Sequence, residues 1–217
     1  MTDTPGPLFA VVFSLALLGF IVTVAFLSRN RSPNFTFHSA RSAESPNSLD
    51  DPHRVEPGMN EEKFWELIAH AWGAGATELR HKLLIPEEAE QAADRLLEMS
   101  DFMVMSLQES LALLSQEDLA SFDEILEHKL YDIDREDVHE YVDGSDDGFL
   151  YSRGFIVAAG KDVFDAVDAD PSVWVVEAEL EPICYISAEV YEEVYGERLV
   201  HNTGISRESG SNKAGWS

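Results

Sequence analysis

The stretch that decides the fold is Asn60 to Gly73, NEEKFWELIAHAWG. Phe64, Trp65, Ile68, Ala71 and Trp72 recur with helical spacing and form a broad apolar face. Asn60 is a good N-cap, Glu61 and Glu62 sit in the first turn where the helix dipole favours acids, and Gly73 and Gly75 end the segment. A helix with two tryptophans on one face needs other helices to cover it.

Downstream, the same period continues. Pro86 opens a helix at its first turn, and Ala89, Ala93, Leu96, Met103, Leu107, Leu111 and Leu114 form a stripe that is either one long helix or two meeting near Ser100. Ser115 with Asp118 resembles a capping box, and the helix after it offers Leu119, Phe122, Leu126 and Leu130 to a core. Residues 132–143 are acidic and weakly periodic. Ser145, followed by Asp146 and Asp147, starts a helix with Phe149, Ile156 and Val157 on one face that stops around Gly160. Val163, Phe164 and Val167 follow, as far as Asp170-Pro171.

Val173 to Val176 is β-branched, but no second strong strand signal exists to pair with it, so it reads as helix or extended loop. Ser187 is expected to cap a last helix carrying Val190, Tyr191, Val194 and Tyr195, closed by Gly196. The expected fold is therefore all-α: a compact multi-helix domain over residues 59–200, followed by a disordered tail at 201–217.

Upstream, Leu8 to Leu27 is a run of 20 residues without a charge. At about 1.5 Å per residue it is long enough to cross a hydrocarbon core of about 30 Å. Asp3 alone is charged before the run, unlike the basic start of a signal peptide, so residues 1–28 are expected to be an uncleaved transmembrane anchor. Cleavage after Thr23-Val24-Ala25, with export, is the competing reading. Residues 29–58, rich in Ser, Pro, Asn and Arg, read as a flexible linker. Arg29, Arg31 and Arg41 lie on the C-terminal side only, which places the domain in the cytoplasm as a single-pass protein of the cell membrane. Translation from Met59 would instead give a cytoplasmic protein with neither anchor nor linker.

The 217 residues are 45% apolar and carry 41 acids against 15 bases, a net charge of -26. That balance excludes direct binding of DNA or RNA, because no basic stripe interrupts the repulsion. It leaves two readings: a well-solvated surface, or an acidic face that docks a basic protein. The single cysteine, Cys184, can form no internal disulfide and lies in an apolar stretch suited to an inert thiol.

The most localised polar cluster is Asp146 and Asp147 with Arg153. Asp146 and Arg153, seven residues apart, share a helix side, and carboxylates beside a guanidinium could orient a polar ligand. The plainer account is a helix N-terminus with two dipole-complementing acids and an arginine paired elsewhere. Glu78-x-x-His81 and Glu136-x-x-His139 have the spacing used in di-metal bundles. With this many acids and 7 histidines, chance supplies such pairs, so no metal or other cofactor is expected. No phosphate loop, nucleophile elbow or zinc helix is present.

Phe64-Trp65-Glu66-Leu67-Ile68, Leu114-Ser115-Gln116-Glu117-Asp118-Leu119 with Phe122, and Tyr191 to Gly196 accompany a more specific set. That set is Ser145-Asp146-Asp147-Gly148-Phe149 with Tyr151 and Arg153, then Gly160 and Asp170-Pro171. Together, from Met59 to about Arg198, they resemble an uncharacterised bacterial family, domain of unknown function 4240. The resemblance implies a helical fold and brings no established activity. The function expected is that of an interaction or regulatory module at the membrane. Two alternatives stay open: an enzyme or small-ligand binder using Asp146, Asp147 and Arg153, and a soluble acidic inhibitor of a basic nucleic-acid-binding protein.

Overall fold

Among the described residues, the sixth of eight α-helices, Asp146–Ala159, is buried on every side from Ser152 onward, and the others are arranged around it. The computed structural model describes residues 58–142, 145–200 and 203–216. The expected anchor at Leu8–Leu27 and the linker at 29–58 lie outside the described residues, except for Gly58. Among the described residues no helix is long and apolar enough to cross a membrane, and there is no strand. The described domain is all-helical.

In chain order the helices are α1 (Glu61–Trp72), α2 (Thr77–Lys82), α3 (Pro86–Leu111), α4 (Gln116–Asp132), α5 (Glu136–His139), α6 (Asp146–Ala159), α7 (Lys161–Ala169) and α8 (Glu181–Tyr195). Short 3-10 turns occupy Ala74–Ala76 and Pro171–Val173. The starts of α1, α4 and α6 are capped as their sequences predict. Asn60 accepts from the Lys63 N–H, Ser115 from that of Asp118 and Ser145 from that of Gly148. The stripe after Pro86 forms one helix, unbroken at Ser100, whose hydroxyl donates back to the Leu97 carbonyl. The β-branched stretch pairs with no strand: Val173 ends a 3-10 turn, and Trp174 to Leu180 run on as a loop into α8.

Helix α1 packs on α3, and α6 packs on α8, α7 and α4. Phe64, Ile68 and Trp72 of α1 are buried, as are Leu96, Met103, Leu107 and Leu111 of α3. Each such side chain contributes about 1.5–3 kcal/mol of burial. The Trp72 indole N–H donates to the Ala158 carbonyl at 2.6 Å, which ties α1 to the end of α6. The sequence predicts one apolar face for α6, yet Phe155, Ile156, Val157, Ala158 and Ala159 are all buried, because neighbours cover it all round. Gly154 lets α8 approach: a Cβ there would stand 2.8 Å from Cys184 Sγ and 2.9 Å from the Leu180 carbonyl oxygen.

Two expectations are corrected. Ser187 does not cap the last helix. That helix starts at Glu181 with Pro182 in its first turn, and Ser187 lies inside it, fully buried. Residues 203–216, expected to belong to a disordered tail, fold back along the domain and are held by hydrogen bonds to it. Their polar atoms find partners among charges that the helices bury.

Candidate functional site

Among the described residues the domain buries two carboxylates and one guanidinium: Asp123 of α4, Asp134 in the turn after α4, and Arg153 of α6. Asp134 and Arg153 have no exposed surface at all. Isolated charges in such a place cost several kcal/mol each unless they are paired and hydrogen-bonded.

Arg153 is on α6 where the helix faces the end of α4. Its Nη1 donates to the Leu130 carbonyl at 2.5 Å, its guanidinium lies 4.6 Å from the centre of the Phe149 ring, and its Nη2 is 3.9 Å from Asp134 Oδ1. The same Nη2 donates to the Arg207 carbonyl and to Ser209 Oγ, each at 3.1 Å. Burial pushes the Arg153 pKa down, and the Asp134 charge opposes that shift. Its Nε has no partner among the described residues.

Asp134 draws its donors from the returning segment. Oδ1 accepts from the Gly210 N–H at 2.9 Å and the Trp216 indole at 3.1 Å, and Oδ2 from the Asn212 N–H at 2.9 Å and Ser211 Oγ at 3.1 Å. Asp123, 2% exposed, accepts from the Ser187 hydroxyl and, at 2.9 Å, from Arg207 Nη2. Arg207 Nη1 also donates to the Cys184 carbonyl. Two further contacts fix the path of the segment. Thr203 donates to Glu127 at 2.7 Å, and the Glu136 N–H donates to the Gly215 carbonyl at 2.9 Å. Trp216 meets Phe149 edge to face and lies tilted against His139, and the His139 and Phe149 rings also meet edge to face.

This arrangement holds the chain's own residues 203–216. It reads main-chain N–H groups through a carboxylate and a main-chain carbonyl through a guanidinium, and it seats one arginine and one tryptophan side chain.

Of the residues singled out from sequence, Asp147 and Arg153 are not brought together. Asp147 is exposed at the start of α6, six residues before Arg153 and on a different side of the helix, while the Asp146 side chain lies outside what is described. Arg153 points inward to Asp134. Glu78 pairs with Lys82 and His81 with Asp162, while His139 is engaged with aromatic rings. Among the described residues no three His, Cys, Asp or Glu side chains converge to hold a metal. Cys184 is buried, and its thiol pKa is pushed up to about 12 by that burial. Asp123, Asp134, Ser187, Arg207 and Trp216 do not stand out as a group in the sequence. The available signal is Asp134 beside Leu130, Ile133 and Val138, an acid among residues bound for the core.

A cleft of about 680 Å³ lies elsewhere, between the start of α1 and the α6–α7 junction. Glu61 there pairs with Lys129, His81 with Asp162 and Lys161 with Asp165, so these charges answer one another instead of converging on a ligand.

The class of protein so defined is an all-α domain with a buried ionic cluster covered by the irregular, turn-rich segment 203–216. The chain belongs to the family described as Protein of unknown function (DUF4240), whose model matches residues 59–193. No curated protein and no solved structure matches it.

Proposed function

We propose that the chain is a protein-interaction module, held at the cytoplasmic face of the membrane by the apolar run Leu8–Leu27, and that it works by binding a non-helical, turn-forming polypeptide segment. The observation that supports the binding half is Asp134: a carboxylate without exposed surface whose four hydrogen-bond donors come from one non-helical segment, two of them main-chain N–H groups. Main-chain recognition with a few side-chain pockets is how proteins read peptides. The length of Leu8–Leu27 and its lack of any charged residue support the anchoring half.

The test uses the full chain in detergent with Gly210→Pro. Gly210 has φ +72 and donates its N–H to Asp134, and proline permits neither. A labelled peptide of residues 203–216 should then bind saturably, and a peptide of the same composition in scrambled order should not. Adding Asp134→Asn to the protein should abolish the binding. Equal binding of both peptides would remove the reading. Resistance of the native protein to alkaline extraction from membranes tests the anchor, and its release by alkali would refute it.

A further inference from the structure

The family match ends at residue 193, yet most of the hydrogen-bond partners of the buried charges come from residues 203–216. Without that segment, the described contacts of Asp134 reduce to Arg153 at 3.9 Å, and a carboxylate with no exposed surface becomes the floor of an open groove. The groove is therefore part of the matched domain, while its cover is not.

The cover is irregular. It has no helix or strand, and its hold on the domain is mostly polar. Hydrogen bonds to buried charges are worth about 1.5–3 kcal/mol each, so a segment that displaces this one must supply equivalent donors. Its chemistry also states what the groove accepts. Arg207 reaches Asp123 and the Cys184 carbonyl, the small residues Ser209 to Ser211 lie along Asp134 and Arg153, and Trp216 closes the far end on Phe149. Residues 203–216 carry two bases and one acid in a chain of net charge -26, so a basic segment is the electrostatically favoured occupant.

Resting on the reading of the domain as a peptide-binding module, we propose that this groove takes, from a basic partner protein, a non-helical, turn-forming segment with an arginine and, nine residues later, a tryptophan. Residues 203–216 are the chain's own competitor for the site. A tethered competitor acts at an effective concentration of about millimolar, so a partner segment must displace it or meet a molecule in which it is already loosened. The module is closed by default.

The test compares wild-type full chain with Gly210→Pro, each titrated in detergent with the labelled 203–216 peptide. The wild-type protein should bind at least about tenfold more weakly than the loosened one. Peptides carrying Arg207→Ala or Trp216→Ala should lose most of their affinity for the loosened chain. Equal affinity of the two proteins would overturn the competitor while leaving the peptide-binding reading intact. Unchanged affinity of both altered peptides would overturn the assigned occupant. Absence of binding to either protein, with helical circular dichroism intact, would remove both readings. Should Gly210→Pro fail to fold, hydrogen exchange on the wild-type protein decides. Saturating peptide must speed exchange at the Asn212 amide of the protein, and an unchanged rate would overturn the proposal.

Discussion

Arg207 and Asp123, 84 residues apart in sequence, meet with Nη2 2.9 Å from Oδ2, and the carboxylate is 2% exposed. A pair this buried is asymmetric in its energetics. Removing the cation leaves a charge that water reaches poorly. Arg207→Ala should cost about 2–3 kcal/mol in urea unfolding of the domain. Asp123→Asn with Arg207→Met should recover part of that loss, since an uncharged pair avoids the penalty. A single variant within a few tenths of wild type would show the contact to be idle.

Gly154 sits where α6 and α8 approach most closely. Alanine would gain about 1 kcal/mol of helix propensity. Its Cβ, however, would stand 2.9 Å from the Leu180 carbonyl oxygen, a backbone atom with little freedom to move, and overpacking of this kind costs about 1–3 kcal/mol. Gly154→Ala should therefore lower the thermal midpoint. A rise would mean that α8 gives way easily.

Cys184 should be silent in the native protein. Burial raises its thiol pKa to about 12, and its Sγ lies 3.5 Å from the Leu150 carbonyl. At about pH 8 a disulfide reagent should react only as fast as the domain opens, with full reaction in denaturant. Stoichiometric labelling of the folded chain within minutes would contradict this burial.

Asp118 gives the start of α4 its acid sensitivity. The Ser115 hydroxyl, and after it the Met59 N–H, hold its carboxyl below the usual pKa; both bonds are 2.7 Å. A depressed folded pKa means a contribution fully present above the unfolded carboxyl's pKa and lost as pH falls through the folded one. Between about pH 5 and about pH 3, Asp118→Asn should show a smaller drop in thermal midpoint than wild type. Equal drops would place the sensitivity elsewhere.

The parts of the fold legible in the sequence are those governed by near neighbours. Asn60, Ser115 and Ser145 cap helices through bonds three residues long, and Phe64, Ile68 and Trp72 announce their face by spacing. Ser187 misleads because a serine before an apolar run looks like a cap, when Pro182 already supplies the start and the hydroxyl serves Asp123. Arg153 stands out in sequence, but its real partner does not. Asp134 belongs to a run of acids in which nothing local distinguishes the buried one. The segment 203–216 is illegible for a related reason: its order comes from charges about 80 residues upstream, and hydrogen bonding to a buried charge leaves no period in composition.

The return of residues 203–216 to Asp134 and Arg153 also bears on biosynthesis. A ribosome delivers that stretch after everything it binds, so the nascent helices can collapse while their ionic centre is still wet. Maturation of the interior then waits for residues 203–216 to emerge. Polypeptides released early, or nicked near Val200, would lack the four donors that Asp134 draws from residues 210–216.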